Sequence, residues 1–126
     1  MKEVIRTDKA PAAVGPYSQA IRAGELLFVS GQLGIDPATG KLVDGGVEKQ
    51  TEQALRNLAS VVRAAGSDLG SVVKATVFLK NMGDFALMNG VYAGFFENAP
   101  PARAAVEVAK LPLGGLVEIE AIVHLG

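Results

Sequence analysis

The chain changes period several times, and each change marks an element. The opening KEVIR reads as a short edge strand. An Ala-, Pro- and Gly-rich loop follows, ending at Gly15-Pro16. YSQAIRAGELLFVSG then reads as two strands joined near Ala23-Gly24-Glu25. GQLGIDPATGKLVDGG breaks the pattern, with Asp36-Pro37 and Thr39-Gly40 as turn signals before a long loop. From Val47 to Ala65 the apolar residues Ala54, Leu55, Leu58, Val61, Val62 and Ala65 recur at helical steps. That spacing predicts an amphipathic helix stopped by Gly66. SVVKATVFLKN returns to a period of two, with Val73, Ala75, Val77 and Leu79 on one side. Asp84 is in place to cap a second helix, whose stripe is Phe85, Met88, Tyr92, Phe95 and Phe96. Pro100-Pro101 prevents that helix from continuing.

Two strands close the chain. In PPARAAVEV the alternation puts Ala102, Ala104, Val106 and Val108 on one face and Arg103, Ala105, Glu107 and Ala109 on the other. In VEIEAIVH, Val117, Ile119, Ala121 and Val123 oppose Glu118, Glu120, Ile122 and His124. The order β-β-β-α-β-α-β-β predicts an α+β unit in which two helices cover the apolar face of a sheet. The second face would then mix Phe78, Ala105 and Ile122 with Lys74, Arg103, Glu118 and Glu120. Such a face is too apolar for solvent, and this predicts cover by another subunit.

Length fits one domain over residues 1–126. Twelve basic against 13 acidic residues, net charge −1, give no electrostatic footprint for nucleic acid or an anionic membrane. With no cysteine and one histidine, His124, the chain lacks thiolate chemistry and the ligands of a multi-histidine zinc site. MKEVIRTDKAPAAVGPYSQ has no apolar core of signal-peptide length, and no apolar run reaches a membrane span. These features point to a soluble, cytoplasmic protein. GxxxxGK[ST] and GxGxxG are absent. GQLG at 31–34 has the spacing of a nucleic-acid clamp but no basic neighbours, and reads as a turn. Nothing brings Ser30 to His124 as a nucleophile and base would require. His124 reads as an ordinary side chain near the C-terminus, and the aromatic stripe as core.

The chemistry concentrates in PPARAAVEVAKLPLGGLVEIEAIV. Arg103 among alanines has two readings. One is an ion pair with Glu107, Glu118 or Glu120. The other is an anion site whose planar fork meets a carboxylate at two oxygens. Glu118 and Glu120 point the same way and repel unless compensated. One of them could pair with a cation while the other moves protons.

The same stretch resembles the C-terminal signature of the RidA/YjgF family of enamine/imine deaminases. APAAVGPYSQAI, LFVSGQLGIDPATGKLV, TEQALRNL, VVKATVFL and DFALMNGVYAGFF match family patterns in order, so the resemblance covers the whole chain. It implies a chorismate-mutase-like fold, with a six-stranded, mostly antiparallel sheet and two helices on one face. It implies homotrimers with a central barrel and clefts between subunits. The implied reaction is hydrolysis of 2-aminoacrylate- and 2-aminocrotonate-type enamines, and their 2-imino acid tautomers, to 2-keto acids and ammonia, with neither cofactor nor metal. Position by position, it puts a carboxylate-binding arginine at Arg103 and a glutamate that handles the attacking water at Glu118. Cleft residues fall at Tyr17, Ser30, Gly31 and Asn89. Ala105 stands where many relatives have cysteine, and is expected to offer its backbone N–H to the substrate carboxylate. Two other functions remain open at this level: a 2-keto-acid-binding regulatory module, and a ribonuclease, which the missing basic stripe disfavours.

Overall fold

A computed structural model describes all residues, 1–126. Six strands form the main sheet: β1 (Lys2–Ile5), β2 (Ala20–Ala23), β3 (Leu26–Leu33), β6 (Val72–Leu79), β7 (Ala102–Glu107) and β8 (Val117–His124). Their order is β1-β2-β3-β8-β6-β7, with β1 and β7 at the edges. A two-residue ladder, β4 (Ile35–Asp36) with β5 (Lys41–Leu42), sits inside the segment expected to be turn and loop. All pairings in the main sheet are antiparallel except β6 with β7, which run parallel. That exception follows from connectivity, since α2 (Phe85–Phe95) lies between the two strands and carries the chain back to the same end. The other helix, α1, spans Gly46–Ala64.

The helices cover one face. Val117, Ile119, Ala121 and Val123 of β8 and Ala75, Val77 and Leu79 of β6 are buried there with Leu55, Leu58, Val61 and Val62 of α1. Gly66 ends α1 in the left-handed region at φ 85°. Its N–H donates to Arg63 O, and the Ser67 N–H donates to Val62 O, closing a Schellman turn. Asp84 does stand at the N-cap of α2, but its side chain makes no capping bond. The Asn81 side chain instead accepts from Gly83 N–H, starting a short 3-10 turn that leads into the helix.

α1 is tied to the end of β3. The buried Asn57 amide donates to the carbonyls of Leu33 and Ile35 at 3.1 and 2.8 Å. A Cβ at Gly34 would lie 2.6 Å from the Gln50 backbone, so only glycine admits the helix this close. GQLG is therefore not a free turn: Gly31, Gln32 and Leu33 belong to β3, and Gly34 is a packing contact.

One face assignment is reversed. β7 pairs with β6 in the register Ala75↔Arg103 and Val77↔Ala105. Ala75 and Val77 are core residues, so Arg103 and Ala105 lie on the helix-covered face. Ala102, Ala104 and Val106 lie on the open one. The open face carries Phe28, Phe78, Ile122 and Val106 together with Lys74, Glu118 and Glu120. Phe28 and Val106 are 44% and 43% exposed there, a large apolar share for a sheet surface.

Candidate functional site

The expected site residues fall into two groups on opposite sides of the sheet. The first is built where β7 passes beneath α2. Phe85, Asn89 and Tyr92 stand at steps of four and three along α2 and so share one stripe. The Arg103 guanidinium lies against that stripe. Its Nη1 donates to Asn89 Oδ1 at 2.7 Å, and its central carbon is 4.8 Å from the Tyr92 ring and 5.5 Å from the Phe85 ring. Arg103 makes no salt bridge; the ion pair within the chain is Arg56–Glu52, and His124 Nε2 lies 3.4 Å from Glu25 Oε2. Within the chain, none of the ion pairs expected of Arg103 with Glu107, Glu118 or Glu120 forms. Glu118 and Glu120 lie on the other face, and Glu107 Oε1 accepts instead from Met82 N–H at 2.7 Å. The aromatic stripe is core only in part: Tyr92 and Phe96 are buried, while Phe85 is half-buried against the arginine. Ala105, two residues along β7, packs beside the core on the same face as Arg103.

The second group sits on the open face, at a β-bulge. Between Val29 and Gln32 the register with β8 slips, so Ser30 and Gly31 oppose Glu120 alone. The bulge brings the Gly31 backbone under the Glu118 carboxyl. A Cβ on Gly31 would stand 2.8 Å from Glu118 Cδ, so glycine is what lets the carboxyl lie there. Ser30 Oγ donates to Ser18 O at 2.6 Å, and Ser30 N–H donates to Gln19 O at 3.0 Å. These bonds hold the chain leading from Tyr17 against the bulge. Tyr17 itself is half exposed at 51%. It lines an open cleft of 760 Å³ with Arg6, Thr7, Asp8, Ser18 and Gln19.

Gln19 was not singled out from the sequence, yet it organises this side. It is buried, its amide oxygen accepts from Thr7 N–H at 2.7 Å, and its NH₂ donates to the carbonyls of Thr7, Ala10 and Pro11. One side chain thus holds the loop before Tyr17. The available signal was a glutamine directly before the apolar start of β2. The stripe places Tyr92 with the core and carries no sign of its contact with Arg103.

Burial raises the pKa of the Glu118 carboxyl above the ordinary glutamate range, and the neighbouring Glu120 carboxylate adds to the rise. The folded chain therefore holds this proton more tightly than the unfolded chain does. The stabilisation is present at low pH and is lost as pH rises from the ordinary glutamate value through the raised one. Glu118→Gln is accordingly expected to raise the urea midpoint at neutral pH, and to flatten this part of the pH–stability curve. Urea titrations of both proteins from the acidic range up to neutral pH check it.

Residues 7–125 match the family model described as Endoribonuclease L-PSP. The chain belongs to the RidA/YjgF family. A bovine (Bos taurus) 2-iminobutanoate/2-iminopropanoate deaminase is 52% identical, over 100% of this chain and 92% of the relative. RidA from the Antarctic bacterium Psychrobacter superimposes with a TM-score of 0.93 at 49% identity, covering 97% of this chain and 98% of that one. E. coli TdcF with bound serine gives 0.94 at 39% identity, covering 98% and 99%. The fold of two helices on a mostly antiparallel six-stranded sheet thus matches that of solved RidA/YjgF structures. No helix of the chain is long and apolar enough to cross a membrane.

Proposed function

We propose that this RidA/YjgF chain, acting as one unit over residues 1–126, hydrolyses small 2-imino acids and their enamine tautomers to 2-keto acids and ammonia. The tautomers are 2-aminoacrylate and 2-aminocrotonate. The observation that carries the reading is Arg103, a half-buried guanidinium flanked by two rings, with an amide on one nitrogen and no carboxylate of its own. A fixed cation without a protein counter-ion is a receptor for an anion, and its fork suits a carboxylate. The deaminase named among the relatives supports the reaction class, and the serine bound to TdcF supports a ligand of amino-acid size.

In the proposed mechanism Arg103 grips the substrate carboxylate, helped by the Ala105 backbone N–H, with Asn89 beside it. The enamine takes a proton at carbon to give the imine. Glu118 orients a water and accepts its proton as the oxygen adds to the C=N carbon. That proton passes to nitrogen to give a carbinolamine. Glu118 then carries the hydroxyl proton to the amino nitrogen as the C–N bond breaks, so ammonia leaves as the C=O forms. A carboxyl with a raised pKa suits both transfers, and such acid–base help is worth about 10²–10⁴-fold. Tyr17, Ser30 and Gly31 complete the cleft on the Glu118 side. The chemistry draws on no cofactor.

Because the two groups occupy opposite faces of one sheet, the reading requires them to meet between copies. We assign the assembly as a homotrimer whose sheets form a central barrel, with a cleft at each subunit junction. The uncovered apolar patch around Phe28, Phe78 and Val106 supports cover by a second copy. Light scattering is expected to report about three times the 13.0 kDa chain mass. A stable monomer at micromolar concentration would remove the cleft.

The activity test couples this protein to a serine/threonine dehydratase that generates 2-aminoacrylate. Pyruvate is expected to appear faster with the protein than without it. Equal rates would leave the keto-acid-binding module as the better reading. The net charge of −1 and the absence of a basic stripe give no support to a ribonuclease.

A further inference from the structure

We infer that Tyr92 and Phe85 are positioning residues for Arg103: their ring faces, with Asn89 Oδ1, fix the guanidinium so that its Nε–Nη2 edge is presented to a ligand carboxylate. The inference rests on the reading of Arg103 as the carboxylate anchor and says what sets that anchor's orientation. A free arginine side chain loses considerable rotamer entropy when it grips an anion, and one already held in place loses less.

Both ring distances, 4.8 and 5.5 Å, fall within cation–π range. Asn89 occupies Nη1, while Nε and Nη2 make no hydrogen bond within the chain. That free edge can meet two carboxylate oxygens in parallel. Tyr92 is in turn braced by Phe96, their ring centroids 4.7 Å apart.

Buried tyrosines usually spend the hydroxyl on a hydrogen bond. Here the Tyr92 hydroxyl is buried without a partner. Burial pushes the phenol pKa up, and the Arg103 charge draws it back only in part, so the group stays neutral and forms no ion pair with the guanidinium. What Tyr92 gives Arg103 is therefore the ring face.

Calorimetric titration with pyruvate tests this in the assembled protein, with KM and kcat from the coupled assay beside it. Tyr92→Leu removes the face and is expected to weaken pyruvate binding about tenfold and raise KM by a similar factor, with kcat largely kept. Tyr92→Phe restores the face and is expected to recover most of that affinity. Phe85→Leu, at the half-buried wall, is expected to weaken binding several-fold, and it carries the test if Tyr92→Leu does not unfold cooperatively. Arg103→Lys is titrated alongside. If it binds weakly while a folded Tyr92→Leu, or in its place Phe85→Leu, binds as the parent does, the positioning role is overturned and the anchor stands. If Arg103→Lys itself binds as the parent does, the anchor falls and the positioning role with it.

Discussion

Arg103→Lys is expected to weaken pyruvate binding about ten- to hundred-fold and to lower kcat/KM for imine hydrolysis by a similar factor. The size follows from what lysine loses. An ammonium keeps the charge but is a point donor, and it cannot span both carboxylate oxygens as a planar fork does. A charge-assisted hydrogen bond of this kind contributes about 1.5–3 kcal/mol. The substitution also abandons the stacking on Tyr92 and Phe85 and the bond to Asn89. Calorimetry with pyruvate measures the binding loss, and the coupled dehydratase assay measures turnover. Parent-like affinity would mean that this guanidinium serves packing under α2.

Glu118→Gln is expected to lower turnover by about 10²–10⁴-fold while pyruvate affinity stays within a few-fold of the parent. Glutamine keeps the size and most of the hydrogen-bonding capacity of the side chain over Gly31 but cannot take a proton from water. Loss of kcat with binding retained is the pattern of a group needed only as bonds change. The same variant is expected to be more stable at neutral pH, because the raised pKa means that the ionised carboxylate is held at a cost. A glutamate kept at the expense of stability is characteristic of a functional position. Normal turnover in this variant would make Glu118 structural.

Much of the fold was legible because alternation and helical spacing are local signals. In β6 and β8 apolar residues alternate with others, and both strands present the expected face to the helices except at the start of β6. There a bulge buries Val72 and leaves Val73, expected on the inner face, exposed. In α1 the buried positions follow the apolar stripe. β7 misled because ARAAVE is mostly alanine, which suits either face. The choice fell to Val106 and Arg103, and both point against the usual preference. Arg103 lies inward because rings on α2 accept its flat cation, and Val106 lies on the open face. Neither fact is local to β7: the strand's face is set by its parallel register with β6.

The candidate site was legible as a set of residues and not as a place. Arg103 and Glu118 both stood out, as a cation among alanines and a carboxylate in a strand. Their separation onto opposite faces emerged only from the register. The bulge at Ser30–Gly31 that lets Glu118 lie over a glycine depends on pairing with β8, which is far away in sequence. Gln19 was missed because its four loop contacts are made by a single amide whose partners are all backbone groups.

That separation makes the central claim, a site shared between copies, directly measurable. Arg103→Lys and Glu118→Gln chains are each expected to be nearly inactive alone. Co-expressed with different tags and purified as mixed assemblies, they place an intact Arg103 half beside an intact Glu118 half at some junctions. With random mixing at equal amounts, about a quarter of junctions carry both intact halves, so deaminase activity near a quarter of the parent's is the predicted result. Mixed assemblies no more active than the two variants measured separately would contradict a site built from one copy's Arg103 and another's Glu118.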